Sequence, residues 1–166
     1  MTGVKLSDEN AERVLRIYGG LVFGIAIGLA AVFVHEGGHL LFTVPQGGSL
    51  VVWHWIPPDA VVVLASEPWG TISLYTGGLV AALFLTTGLA LIIWRFRHSN
   101  SVFWWFVCLP LAFGAPAELF AGIAEGSLND FYNGSLLFFV WDVLIGLLGI
   151  GPYLRMVPRP MVFSTQ

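Results

Sequence analysis

Eighteen consecutive residues, Ile17 to Val34, carry no charged side chain, and the run ends in His35-Glu36-Gly37-Gly38-His39. About 20 apolar residues are what a helix needs to cross a bilayer. Polar groups at the end of such a helix must be offset by a partner or by a function. Residues four apart share one helix face, so His35 and His39 present two imidazole nitrogens to a single point, as tetrahedral Zn²⁺ requires. Glu36 flanks that point. From there its carboxylate can take a proton from water that the metal has acidified to a pKa of about 7, which is the hydrolytic chemistry that the H-E-x-x-H pattern encodes.

The rest of the chain has the same character. Hydrophobic residues make up 57% and charged residues 10%, whereas soluble domains carry about 25% charged residues. Four apolar stretches are long enough to span, at about 14–42, 71–94, 102–124 and 135–154. The expected fold is therefore an all-α membrane protein of four transmembrane helices, with residues 1–166 forming one membrane-embedded domain. The segment 49–66 is too short to span as a helix. It is rich in Val and Trp and divided by Pro57-Pro58-Asp59, so 50–56 and 60–65 predict a short interfacial β-hairpin after the first helix. That hairpin either offers an edge to an extended peptide or simply caps the bundle. His54, between Trp53 and Trp55, reads as part of an interfacial aromatic anchor.

Several functions are excluded. No basic block exists that could hold nucleic acid. Cys108 is the only cysteine, so an intramolecular disulfide is impossible and a thiolate metal site would lack partners, and it reads as an apolar core thiol. The first stretch is too long for a removable signal peptide and should be retained.

The seven Lys and Arg residues lie before the first span, between the second and third, or after the fourth. Under the positive-inside bias, both termini of this multi-pass chain are cytoplasmic, and 44–70 and 125–134 face outward. At about 1.5 Å per residue from Ile17, His35 lies about 27 Å along its helix, near the outer edge of the hydrocarbon core. The predicted metal site is thus extracytoplasmic.

Gly19, Gly20, Gly24 and Gly28 predict close helix packing. Tyr75-Thr76-Gly77-Gly78, level with the metal motif, predicts contact with Gly37-Gly38. Pro110 and Pro116 should kink or interrupt the third span. A catalytic zinc needs a further protein ligand, and the acidic residues on the correct side are Glu118, Glu125, Asp130 and Asp142. Glu118 and Asp142 lie deeper, where a hydrogen bond to a ligating histidine or a tie between helices is the alternative role.

Three features resemble the site-2 protease family of intramembrane zinc metallopeptidases, in particular its small, compact members. Val34 to Leu41, around the His-Glu-Gly-Gly-His core, is similar to the family's zinc helix. The strand-like segment followed by Tyr75-Thr76-Gly77-Gly78-Leu79 is similar to its hairpin and next helix. Asn129-Asp130-Phe131 before the last span is similar to its aspartate motif. The resemblance covers about residues 30–150. It implies that His35 and His39 bind zinc, that Glu36 is the general base and that Asp130 completes the site. Asp130 is thereby preferred as third ligand, with Asp142 and Glu118 next and Glu125 last.

The expected activity is zinc-dependent hydrolysis of peptide bonds in transmembrane or membrane-associated protein substrates. A zinc-dependent lipid amide or ester hydrolase uses the same chemistry. A non-catalytic metal-binding scaffold or transporter subunit would not need Glu36. Any recognition or regulatory module is expected on another chain or on the substrate itself.

Overall fold

The computed structural model describes residues 8–55, 58–96, 98, 101–128 and 136–157, with the backbone alone at 8, 58–60, 136, 138 and 139. Its elements are α1 (Asp8–Thr43), a 3-10 turn (Val44–Gln46), β1 (Ser49–Trp55), β2 (Pro58–Val63), α2 (Trp69–Phe96), α3 (Val102–Leu128) and α4 (Leu136–Met156). Three helical segments, Glu9–Gln46, Trp69–Phe96 and Val102–Leu128, are long and apolar enough to cross a membrane. Their outward faces carry exposed aliphatic side chains, among them Leu15, Leu29, Leu83 and Leu91.

α1 begins earlier than its apolar run because Glu9 pairs with Arg13 and Glu12 with Arg16, each one turn apart. Its end is set by Pro45 and by Thr43. The Thr43 carbonyl accepts the Gly48 N–H at 2.9 Å, and Gly47 turns the chain at φ 92°, a left-handed conformation suited to glycine. The buried Thr43 Oγ1 also accepts the Ala65 N–H at 2.9 Å, tying the end of α1 to the exit of the hairpin.

The hairpin is antiparallel, pairing Ser49 with Val63 and Trp55 with Pro58, with one irregularity between Leu50 and Val52. Both strands start a little before their expected positions, and Pro58 stands at the first position of β2, where a missing N–H is tolerated. Trp53 and Trp55 lie on one strand face, with ring centroids 6.2 and 5.9 Å from Phe33 of α1. His54 alternates to the other face. Pro57 lies outside the described residues.

The helices pack through glycines. A methyl group at Gly20 or Gly24 would collide with the backbone of α3 near Phe103 and Val107, so α1 and α3 run parallel in close contact. Gly38 meets Gly77 and Thr76 of α2, and Gly78 meets Gly122 of α3. The expected contact between the two glycine pairs therefore forms through Gly38 and Gly77, while Gly37 and Gly28 face open space. α4 packs mainly on α3, with Gly149 against the Ala112 carbonyl and Pro116. That carbonyl is the one Pro116 leaves without its helical donor. Neither proline interrupts α3.

α3 also runs on to Leu128, a turn beyond the expected end of the third span. Glu125 is consequently on the helix and not in a loop. It lies seven residues after Glu118, on the same face.

Candidate metal centre

His35 and His39 lie one turn apart near the end of α1, both buried, with ring centroids 4.9 Å apart. Each uses one ring nitrogen outward. His39 Nδ1 is 2.8 Å from the carbonyl oxygen of Ser73. A carbonyl only accepts, so Nδ1 carries the proton, and in the neutral ring Nε2 keeps a lone pair. His35 Nδ1 is likewise 2.7 Å from Glu118 Oε2.

The inner nitrogens converge. His35 Nε2 and His39 Nε2 lie 3.0 and 3.2 Å from the same oxygen, Oε2 of Glu125. Two lone pairs facing a carboxylate oxygen repel unless positive charge lies among them, either as protons or as one metal ion. The ligand atoms of His35, His39 and Glu125 all lie within 4.8 Å of one another. A tetrahedral Zn²⁺ with bonds near 2.0–2.1 Å separates its ligands by about 3.3 Å, close to both contacts with Glu125. Two imidazole nitrogens and one carboxylate, with the outer N–H of His39 donated to a carbonyl, form a donor set suited to zinc.

The neighbouring helix supports this arrangement. Ser73 Oγ donates to the His39 carbonyl at 3.3 Å, and Thr76 Oγ1 lies 2.7 Å from the Ser73 carbonyl. Gly77 leaves room for the rings: a methyl group there would sit 2.5 Å from His39 Nε2 and 2.7 Å from His35 Cδ2. Tyr75 hydroxyl and Ser127 Oγ, 3.1 Å apart, close the same end of α2 against α3.

A cavity of about 570 Å³ opens beside His35 between α1 and α3. Glu36 lines it together with His35, Glu118 and Glu125, and Asp142 reaches it from α4. The structure thus brings together His35, His39, Glu36, Glu118, Glu125 and Asp142. Asp130 lies outside the described residues. Glu125, ranked last from sequence, is the acidic residue in contact with both imidazoles. Its signal was the seven-residue spacing from Glu118, which becomes meaningful only if α3 continues past Ala124. Ser73 was not foreseen, since a serine in an apolar stretch carries no distinctive pattern, and Thr76 was read only as part of the glycine-containing segment facing Gly37-Gly38.

Compared with protein-family models, curated proteins and solved structures, the chain matches none.

Gly37 inside the motif and Gly77 facing it are expected to differ. Gly77→Ala should abolish stoichiometric zinc binding by displacing both rings, whereas Gly37→Ala should bind as the parent does. Metal analysis of the purified variants checks this, and normal zinc in Gly77→Ala would contradict the ring packing.

Proposed function

We propose that this chain is an intramembrane zinc peptidase of the site-2 protease type, with His35, His39 and Glu125 as zinc ligands and Glu36 as general base. The observation that carries this reading is the convergence of two oriented imidazoles on the Glu125 carboxylate beside a cavity lined by Glu36. The sequence resemblance adds peptide bonds as the substrate class. Glu125 takes the place that the resemblance gave to Asp130, which remains the rival ligand.

When bound, zinc polarises a substrate carbonyl and acidifies water. The rest is done by the chain itself. Glu36 takes a proton from the attacking water as the carbon–oxygen bond forms, and delivers it to the amide nitrogen as the carbon–nitrogen bond breaks. The Ser73 carbonyl keeps His39 in the tautomer that turns Nε2 inward. The cavity admits the scissile bond from between α1 and α3, and its apolar wall includes Ile25, Leu29 and Val32.

α4, 21 residues long, serves as the fourth span in this reading. Arg13 and Arg16 at the start of α1, Arg95 at the end of α2 and Arg155 in the last turn of α4 all lie at the end of the bundle away from the histidines. The positive-inside bias then gives cytoplasmic termini and an extracytoplasmic centre. A cysteine introduced as Asp59→Cys should react with an impermeant maleimide added from outside, with buried Cys108 silent. Labelling only from the cytoplasmic side would reverse the orientation.

Glu36→Gln should retain zinc and lose turnover by about 10²–10⁴-fold. Mass spectrometry of membranes carrying that variant should show an uncleaved membrane protein accumulating. Unchanged turnover would remove Glu36 as the base, and accumulation of an intact lipid amide or ester in place of a protein would move the substrate class to lipids.

A further inference from the structure

Resting on the zinc reading above, we infer that Glu118 is a positioning residue that holds His35 in the orientation and tautomer needed for ligation. Its Oε2 lies 2.7 Å from His35 Nδ1. The two nitrogens of an imidazole point in widely divergent directions, so a group bound at Nδ1 cannot share an ion held at Nε2. Glu118 is therefore outside the ligand set, and its contact is a hydrogen bond accepted from the ring. Accepting that proton forces the Nε2 lone pair inward and makes it a stronger donor.

The geometry of α3 explains the arrangement. Glu118 and Glu125 stand two turns apart on one face of α3, which runs parallel to α1 at the glycine contacts. His35 fits between them, Nδ1 toward Glu118 and Nε2 toward Glu125. One helix face thus grips both ends of one ring. His39 has its outer nitrogen held by the backbone carbonyl of Ser73, which no side-chain substitution removes. Glu118 is the side-chain counterpart of that carbonyl, and it is 17% exposed where it borders the cavity.

A mere tie between α1 and α3 would affect the stability of the metal-free protein and leave zinc affinity alone. A positioning role affects zinc affinity. The test is zinc affinity by chelator competition, with thermal stability of the metal-free protein measured in parallel. Glu118→Leu should weaken zinc by about 10–100-fold while the protein stays folded. Glu118→Gln, whose amide oxygen can accept the same bond, should recover most of that loss. Wild-type affinity in Glu118→Leu, or a Gln variant as weak as Leu, would overturn the inference. If Glu118→Leu does not fold, nitrogen NMR of zinc-loaded wild-type protein with labelled histidine decides: His35 protonated at Nδ1 supports the role, and His35 protonated at Nε2 overturns it. A wild-type protein that takes up no zinc at all would instead overturn the zinc reading on which this rests.

Discussion

The close approach of α1, α2 and α3 at their glycines is the constraint on which the rest depends. Gly38 lies against Gly77, and Gly78 against Gly122, so three backbones meet with almost no side chain between them. Only at that separation do imidazoles on α1 reach a carbonyl on α2 and two carboxylates on α3. Helices with larger residues at these points would stand farther apart, leaving His35, His39 and the carboxylates as unpaired polar groups in an apolar bundle, at a cost of several kcal/mol. The glycines are thus part of the centre although none offers a side chain to it.

Much of this could be read from the sequence, because the informative signals were local. The helical spacing of His35 and His39, the length of the apolar runs and the turn residues around Pro58 each act over a few residues. They predicted the paired histidines, the helices and the hairpin. What escaped was register between distant segments. Glu125 sits 90 residues from His35, and its role depends on α3 keeping its helical phase through Pro110 and Pro116 and past Ala124. An apolar run ends at Ala124, but the helix does not. Ser73 works through its backbone carbonyl as well as its hydroxyl, and a carbonyl is invisible in a pattern of side chains.

The three helices α1, α2 and α3 take distinct tasks. α1 supplies the histidines and Glu36, α2 orients one ring through Ser73 and leaves space for both at Gly77, and α3 supplies the paired carboxylates. The cavity is lined from α1, α3 and Asp142 of α4, with no lining residue from α2. Glu36 and His35 both line it. This separation leaves α2 as support while the opposite side stays open.

On the proposed function, His35, His39 and Glu125 hold one zinc ion. X-ray absorption at the zinc edge on purified wild-type, Glu125→Ala and Asp130→Ala proteins tests it most directly. The expected result is one zinc per wild-type chain with two imidazole ligands and oxygen donors at about 2.0–2.2 Å, unchanged in Asp130→Ala and lost or severely weakened in Glu125→Ala. An unaltered zinc site in Glu125→Ala together with its loss in Asp130→Ala would contradict the assignment.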